Sequence, residues 1–269
     1  MELINAVAVV TGGAHGIGRA LCRALSKAGA RVAVADLDFA AARSVAAEVG
    51  GMALQLDVAN EQDIIEGVAQ VEAELGPISL FVSNAGVAFG DGPDGAASAP
   101  DEHWRSCLDV NLMAHVYAAR TLIPRMKSRG GGCLVNVASA AGLLNQIGEA
   151  AYTASKHAAV AFAESLAITH GDEGIQVCLV CPQAVATRMT GFDDNGQAAG
   201  DTGFGGNDVD GIVSSEYVAE CILDGIRAQR FLVLPHPRVS EYVQRKAADH
   251  DRWIGGMRRF RRRLKGEDA

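Results

Sequence analysis

Three residues in the middle of the chain have types and spacings suited to proton transfer. Tyr152 and Lys156 lie four residues apart in an alanine-rich stretch that lacks Pro and Gly, so a helix would place both side chains on one face. An ammonium beside a phenol lowers the tyrosine pKa from about 10 toward the working pH, as general acid/base catalysis requires. Ser139, thirteen residues before Tyr152, would present a neutral hydroxyl to the same point. The triplet indicates hydride chemistry at a carbinol or carbonyl carbon; the alternative is an incidental Tyr/Lys pair on a helix.

A glycine-rich loop near the N-terminus predicts a site for a phosphate group. The apolar run at residues 6–10 is followed by the sequence TGGAHGIG at 11–18 and then by a helical pattern at 19–28. Glycines let backbone N–H groups approach a pyrophosphate closely, and the helix N-terminus contributes its positive dipole end. A second apolar run, 31–35, ends at Asp36, eighteen residues beyond the last glycine, where a carboxylate can bind ribose hydroxyls. Ordinary turn glycines and a helix cap at Asp36 are the alternative.

These segments occur in an order that resembles the classical short-chain dehydrogenase/reductase family, from about residue 3 to about residue 235. The glycine loop follows that family's TGxxxGxG pattern rather than the GxGxxG of other dinucleotide-binding folds. The resemblance implies an α/β fold, namely a single-domain, Rossmann-type doubly wound parallel sheet with helices on both faces. The other matching motifs are Asp57 with Val58, Asn84 to Gly86, Asn111, Ser139, YTASK at 152–156, and residues 182–187.

The resemblance also implies NAD as the cofactor and a role for each motif. Tyr152 would be the general acid/base, Ser139 would position the reacting oxygen, and Lys156 would hold the nicotinamide ribose while keeping the tyrosine pKa low. Asn111 would sit at a helix irregularity and hold a water that relays the proton, or it would only cap a backbone kink. The residues expected to bind NAD are Gly12, His15, Gly16, Ile17, Gly18, Asp36, Leu37, Asp57, Val58, Asn84, Ala85, Gly86, Tyr152, Lys156, Pro182, Val185 and Thr187.

The charge at Asp36 favours NAD over NADP. A carboxylate close to the 2′-phosphate of NADP would cost on the order of one to several kcal/mol in a partly desolvated site. Leu37, the next residue, has no positive charge, and His15 stands where NADP-using relatives often have Arg or Lys. A histidine is largely neutral at pH 7 and is therefore a weak phosphate ligand.

Length and patterning agree with one α/β domain. A chain of 269 residues can form one large core. Its sequence has no run of eighteen apolar residues and no basic leader with a cleavage site, so we expect a soluble cytoplasmic protein. Alternation of apolar runs with helical patterns predicts a parallel sheet covered on both faces. The predicted strands lie near residues 6–11, 31–36, 52–57, 79–84, 132–138 and 175–181.

Two of the six cysteines form a CxxC sequence. Cys178 and Cys181 both fall in the apolar run at 175–181, where their spacing points them to opposite faces of a strand. We therefore expect buried core thiols rather than a redox or metal site, and we expect no bound metal.

The residues after Ser139 and Thr187 are expected to form the substrate pocket. A Gly/Asp-rich segment at 191–211 is long and polar enough to be a mobile lid, and residues 88–100 could line the same mouth. Gln183 follows Pro182 where the family has glycine, so the turn could differ or Gln183 could reach the substrate. Apolar residues in these segments favour a bulky, largely apolar alcohol or ketone. The expected contacts are Leu143, Leu144, Gln183, Met189 and Phe192, with Ile147 and Phe204 near them.

The C-terminal extension differs in charge from the rest of the chain. Residues 238–265 carry ten Lys/Arg against three Asp/Glu, whereas residues 1–237 carry fourteen against twenty-seven. We therefore divide the chain into an NAD-binding catalytic unit at 1–237 and a basic amphipathic extension at 238–269, in the same domain or at a subunit interface. An apolar helical stripe favours docking onto the acidic body, in its own or a neighbouring subunit, over a solvated tail or contact with nucleic acid or membrane. Its members are Trp253, Met257, Phe260 and Leu264.

The leading interpretation is an NAD-dependent dehydrogenase that acts on a small-molecule alcohol or ketone, with no nucleic-acid or membrane partner. The family resemblance implies a homo-oligomer, commonly a tetramer, assembled through helices near 103–128 and 152–170. An NADPH-dependent carbonyl or 3-oxoacyl reductase is the alternative, which Asp36 disfavours. A non-catalytic dinucleotide-binding or scaffold protein is the alternative of another class, but such a protein has no need of the Ser139, Tyr152 and Lys156 triplet.

Overall fold

A parallel sheet covered by helices is the centre of the fold. The computed structural model describes residues 1–193, 197–198 and 210–267. Most of the segment expected to form a lid, including Phe204, lies outside the described residues. None of the helices in these three ranges combines the length and the apolar character that a membrane span requires.

In the described part of the chain, seven parallel strands form one sheet in the order β3-β2-β1-β4-β5-β6-β7. Most of their side chains are buried, because helices cover both faces and the strands are rich in Val, Leu and Ala. The strands are β1 Val7–Thr11, β2 Arg31–Asp36, β3 Met52–Gln55, β4 Ile78–Ser83, β5 Gly132–Val137, β6 Ile175–Val180 and β7 Leu232–Val233. Six of them match the predicted runs, which confirms the doubly wound parallel α/β fold. The seventh, β7, has two residues, too few for an alternating pattern to reveal.

The helices pack on both faces of the sheet, and each face has its own apolar cluster. A π-helical turn, Asp109–Met113, joins α4 to α5 and contains Asn111, so the helix irregularity expected at this residue is present. The described α-helices are α1 Gly16–Lys27, α2 Phe39–Val49, α3 Glu61–Leu75, α4 Asp101–Leu108, α5 Ala114–Lys127, α6 Ala150–His170, α7 Ser215–Arg227, α8 Arg238–Ala248 and α9 His250–Leu264.

The CxxC cysteines point to opposite faces of β6. Cys181 belongs to the apolar cluster on one face and Cys178 to the cluster on the other. Both thiols are free and buried, and burial raises the pKa of each to about 12. They are inert core residues, as their spacing predicts.

The order of the strands creates a crevice at one edge of the sheet. The chain runs outward from β1 to β3 and then returns to place β4 against the other side of β1. Parallel strands that diverge in this way leave a gap between their carboxyl ends, where doubly wound sheets bind ligands. The glycine loop follows β1, Asp36 ends β2, Asn84 follows β4, and Ser139 follows β5. The predicted site residues are therefore brought together by topology alone.

The C-terminal extension folds as two helices, α8 and α9, against this edge of the sheet. Lys246, near the end of α8, donates from Nζ to the carbonyl oxygens of Leu143 (2.9 Å) and Leu144 (3.0 Å). The same ammonium lies 4.9 Å from the centroid of the Trp253 ring on α9, a cation–π distance. Lys246 thus joins both helices of the extension to the loop that follows β5, and burial lowers its pKa.

A second anchor holds the start of α8. The Asp210 carboxylate accepts hydrogen bonds from Arg238 (2.5 Å) and from the hydroxyl of Tyr242 (2.9 Å). The Asp210 side chain is only 4% exposed, so this ion pair is better shielded from water than a surface pair and contributes more to stability. The extension is therefore packed on its own chain.

We predict that Lys246→Met loosens the extension without unfolding the sheet. The substitution keeps an apolar stem but removes the ammonium that binds two carbonyl oxygens, so amide exchange in residues 238–264 should become at least about tenfold faster, equivalent to about 1.4 kcal/mol. Hydrogen–deuterium exchange followed by mass spectrometry measures this. Lys265→Met, on an exposed residue of the same segment, is the matched control. Unchanged exchange in both variants, or acceleration throughout the sheet, would contradict the anchoring role.

Candidate active site

The glycine loop forms a cradle of bare backbone, and side chains in place of its glycines would fill that cradle. Gly12 and Gly16 have positive φ angles, +61° and +48°, which favour glycine. An ideal Cβ at Gly18 would lie 2.0 Å from the Gly12 carbonyl oxygen, so α1 starts directly against the loop. Asn84 Nδ2 donates to the carbonyl oxygens of Thr11 (2.9 Å) and Gly12 (3.2 Å). This bare backbone at a helix N-terminus fits a pyrophosphate.

The Asp36 carboxylate is fixed at the end of β2. It accepts hydrogen bonds from the backbone N–H groups of Ala14 and Asp38, both at 3.0 Å, and it lines the cleft next to the loop. Leu37 beside it is 67% exposed and also lines the cleft. A fixed carboxylate in this position fits the hydroxyls of an adenosine ribose.

One cleft connects the residues predicted from the sequence. Its volume is about 1190 Å³, above the ~300–1,000 Å³ of sites for a single drug-sized ligand, so it has room for a cofactor together with a substrate. Gly18, Asn111, Leu143 and Phe192 do not line it. The predicted residues that do are Gly12, His15, Gly16, Ile17, Asp36, Leu37, Asp57, Val58, Asn84, Ala85, Gly86, Ser139, Leu144, Tyr152, Lys156, Pro182, Gln183, Val185, Thr187 and Met189.

The triplet meets at the head of α6. Lys156 is buried, and its Nζ donates to the Val137 carbonyl oxygen at 3.1 Å. The same atom lies 5.7 Å from the centroid of the Tyr152 ring, as the four-residue spacing predicts. Ser139 Oγ accepts a hydrogen bond from Ala141 N at 3.0 Å, and it lies close enough to the phenol to lower the Tyr152 pKa. The three side chains therefore face one point in the cleft.

The electrostatics of the pair differ from the expectation. Desolvation raises the pKa of Tyr152 to about 12, although the nearby Ser139 hydroxyl lowers it. Burial lowers the pKa of Lys156 to about 8. In the protein alone, Lys156 therefore does not bring the phenol pKa toward neutrality, because desolvation penalises the charged form of both groups; a lowered phenol pKa with NAD⁺ bound stays a prediction.

Glu149 is an acidic neighbour of the triplet that the sequence reasoning missed. It lines the cleft one turn before Tyr152, and burial together with the charge of Asp91 raises its pKa to about 7. Its charge is one of the causes that raise the pKa of Tyr152. An acidic residue three positions before the tyrosine was the available signal, since that spacing places both on one helical face.

Asn111 uses its side chain to hold the π-helical turn in place. Its Nδ2 donates to Val87 O (2.9 Å) and to Ser155 Oγ (3.0 Å), and its Oδ1 accepts from Val87 N (2.9 Å). The side-chain amide thus makes its hydrogen bonds to other parts of the protein, as expected if Asn111 only caps a backbone kink. The water relay through this residue stays a prediction.

Gln183 fits the turn after β6 without glycine. Among the described residues, positive φ angles outside glycine occur at Asn5 and Gln229, so Gln183 carries no such strain. Its backbone N–H donates to Nδ1 of the buried His236 at 3.2 Å. Its Oε1 is buried and lacks a hydrogen-bond partner among the described residues. His236 is fifty-three positions away, and no local pattern predicts this contact.

One residue and one wall of the cleft were not among the residues predicted to line it. Arg188, directly after Thr187, lies with Nη1 3.2 Å from His15 Nε2 and brings a positive charge to the glycine loop. The extension forms the opposite wall, so the apolar stripe docks on its own chain, where its four members are half-buried. The wall residues are Tyr242, Arg245, Ala248, Asp249, Arg252, Trp253, Gly256, Met257, Arg259, Phe260 and Arg263.

Comparison with known proteins agrees with this geometry. The family model described as short chain dehydrogenase matches residues 6–198. The chain is 37% identical over 222 residues to 1-deoxy-11-beta-hydroxypentalenate dehydrogenase of Streptomyces exfoliatus, covering 79% of this chain and 80% of the relative. It is 35% identical over 189 residues to acetoacetyl-CoA reductase of Shinella zoogloeoides, covering 69% of this chain and 76% of the relative.

A solved structure shows the same fold. A short chain dehydrogenase/reductase from Burkholderia phymatum in complex with NAD has a TM-score of 0.81 and 25% identity to this chain. The match covers 93% of this chain and 96% of that one. The site contains a glycine cradle, a carboxylate at the end of β2, and a serine, a tyrosine and a lysine at one point of the cleft. Together with these features, the similarities establish that the chain belongs to the short-chain dehydrogenase/reductase family.

Proposed function

We propose that this chain is an NAD-dependent oxidoreductase that interconverts a bulky, largely apolar secondary alcohol and its ketone. The observation that carries the proposal is the convergence of Ser139, Tyr152 and Lys156 in a cleft that also contains the glycine cradle and Asp36. The family binds a nicotinamide dinucleotide, and the two relatives described above are a dehydrogenase and a reductase of hydroxy or keto compounds. A reaction at a carbinol or carbonyl carbon is the chemistry that such a cleft supports.

Tyr152 is the proton carrier in this proposal. In the oxidation direction its phenolate takes the hydroxyl proton of the alcohol, while Ser139 Oγ hydrogen-bonds the same oxygen and holds it in place. NAD⁺, when bound, supplies the hydride acceptor and a positive ring that favours the phenolate. Lys156 Nζ, held by the Val137 carbonyl, orients the nicotinamide ribose. The proton then leaves through Lys156 and a water held at Asn111.

Residues at the carboxyl ends of the strands would hold the cofactor in this proposal. The backbone of residues 12–18 and Arg188 would bind its pyrophosphate, and Asp36 would bind its adenosine ribose. The turn from Pro182 to Thr187 would hold the nicotinamide, supported from behind by His236. NAD rather than NADP follows from the Asp36 carboxylate, since a 2′-phosphate there would face a like charge. Occupation by NAD in the Burkholderia phymatum structure supports the same choice.

The alternative reading within the enzyme class is an NADPH-dependent reductase. The similarity to acetoacetyl-CoA reductase supports it, and Arg188 near the glycine loop adds a positive charge on that side. Asp36 weighs against it. A non-catalytic dinucleotide-binding protein is disfavoured because it would not require Ser139, Tyr152 and Lys156 to line one cleft.

We further propose how the chain is organised and where it works. Residues 1–237 act as the NAD-binding catalytic unit, and residues 238–269 as an extension that completes the cleft. A homo-oligomer formed through the helices near 103–128 and 152–170 is proposed from the family resemblance. Six free cysteines support a reducing compartment such as the cytoplasm.

Removal of the phenol hydroxyl tests the catalytic proposal. Tyr152→Phe keeps the ring and removes the proton carrier, so kcat with NAD⁺ and a panel of secondary alcohols should fall by at least ~10²-fold. The dissociation constant of NADH, measured by fluorescence titration, should change little. Tyr217→Phe, an exposed tyrosine on α7, is the control and should keep its activity. Near-wild-type turnover in Tyr152→Phe would remove the basis of the mechanism.

Cofactor choice is tested at Asp36. Asp36→Ala removes the like charge and should raise the NADP⁺ to NAD⁺ ratio of kcat/KM by about tenfold, equivalent to ~1.4 kcal/mol. Adding Leu37→Arg should raise the ratio further, because a guanidinium can bind the phosphate. The control is Asp224→Ala, which removes the same charge from an exposed position on α7. It should leave the ratio unchanged. A wild-type preference for NADP⁺, or no shift in either variant, would show that Asp36 does not face the ribose.

A further inference from the structure

Helix α9 presents two parallel columns of side chains to the cleft. Positions 252, 256, 259 and 263 are spaced by four, three and four residues, and so are 253, 257, 260 and 264, so each set forms one line along the helix. The first column holds three arginines and Gly256, and the second holds Trp253, Met257, Phe260 and Leu264. All members except Leu264 line the cleft. The wall opposite the catalytic residues is therefore both apolar and positively charged.

Two arginines of this wall have no acidic partner in the described structure. Arg252 and Arg259 line the cleft, yet neither makes an ion pair with a described residue. The Arg259 guanidinium lies back along α9, so that a Cβ at Gly256 would be 3.8 Å from its Nη2. The absence of a side chain at Gly256 thus leaves room for this guanidinium beside the helix.

The acidic residues of the cleft do not neutralise the wall. Asp249, the cleft-lining acid nearest to the wall in sequence, is the N-cap of α9 and accepts a hydrogen bond from the Arg252 backbone N–H at 2.9 Å. Arg245 on α8 also lines the cleft and shares its charge with exposed Glu241 at 3.5 Å. Glu149 belongs to the catalytic end, and Asp36 and Asp57 lie at the ends of β2 and β3. The mouth beside α9 therefore keeps an excess of positive charge.

The wall formed by α9 has a fixed position relative to Ser139, Tyr152 and Lys156. Lys246 ties α8 and Trp253 to the loop that follows Ser139, and Leu144 of that loop lines the same cleft. Arginines on a docked helix can bind an anion with less entropy loss than arginines on a flexible tail. The apolar column faces the cleft, which also distinguishes α9 from a membrane-surface helix, whose apolar face must be turned to lipid.

We propose that the substrate is an amphipathic anion: an apolar secondary alcohol or ketone with a carboxylate or phosphate far from the reacting carbon. Arg252 and Arg259 bind the anionic group, and Trp253, Met257 and Phe260 contact the apolar body. This inference rests on the proposed function, because it assigns the substrate of the same cleft. Arginine suits the task since its guanidinium forms paired hydrogen bonds to carboxylate and phosphate oxygens.

Ligands that share one tail and differ in the head group test the proposal by binding alone. Calorimetric titration of the NADH-saturated protein would compare decanoate, decyl phosphate, 1-decanol and decyltrimethylammonium. We expect at least one of the two anions to bind about tenfold or more tightly than decanol, and the cation to bind most weakly. The tighter of the two anions identifies the head group. Equal affinity for all four ligands would overturn the proposal.

Variants of α9 assign the effect to the cleft-facing arginines. The double variant Arg252→Gln/Arg259→Gln should bind the anions and decanol with similar affinity, while its circular dichroism stays unchanged. Arg258→Gln, which removes the same charge from a neighbouring residue that does not line the cleft, should keep the full preference. Arg259→Glu should favour the cation over the anions. Loss of the preference in Arg258→Gln to the same degree would overturn the assignment.

Two outcomes distinguish failure of the anionic-substrate inference from failure of the proposed function. Turnover of neutral secondary alcohols with NAD⁺, combined with no preference for anions, would leave the proposed function standing and reject the anionic substrate. An arginine-dependent preference for anions without turnover of any secondary alcohol would reject the proposed function and keep the anion site. A third outcome is that the protein sediments with phosphatidylglycerol vesicles and that Arg258→Gln and the double variant reduce this binding equally. That result would assign the basic helix to a membrane surface instead and overturn the inference.

Discussion

Desolvation of two ionisable side chains, one helical turn apart, is the constraint on which the rest of the site depends. Lys156 is 3% exposed and hydrogen-bonded to the Val137 carbonyl, whereas Tyr152 is half-buried in the cleft. Desolvation lowers the Lys156 pKa to about 8 and raises the Tyr152 pKa to about 12, which disfavours the charged form of both groups. A Cβ at Gly142 would lie 2.5 Å from the Lys156 carbonyl oxygen, so the loop that carries Ser139 can approach α6 closely only because this residue is glycine.

The sheet supplies the remaining alignment. Because its described strands are parallel, their carboxyl ends lie at one edge, and the reversal of strand order between β1 and β4 opens the crevice there. The extension then closes the other side of the crevice through Lys246. The Ser139, Tyr152 and Lys156 triplet is in this way combined with a wall that belongs to the C-terminal segment, and the wall carries the charge and the apolar surface that would select a substrate.

The sequence was sufficient for features that depend on local pattern and failed for those that depend on distant contacts. The end of β2 at Asp36, the helix of Tyr152 and the opposite faces of the two CxxC cysteines all follow from periodicity. His236 and Lys246 contact residues more than fifty positions away, which no local pattern encodes. The rise in the phenol pKa of the protein alone was not foreseen, because the spacing of residues reports a neighbouring charge but not the cost of desolvation.

The central claim is that desolvation in the cleft raises the Tyr152 pKa in the protein alone and that a bound positive ring lowers it. The most direct measurement is an ultraviolet titration of tyrosinate absorbance, taken as the difference between wild type and Tyr152→Phe, without and with saturating NAD⁺. We predict a Tyr152 pKa near 12 in the protein alone and a clearly lower pKa in the NAD⁺ complex. The same pKa in both states, or an ordinary value near 10 without NAD⁺, would contradict the account.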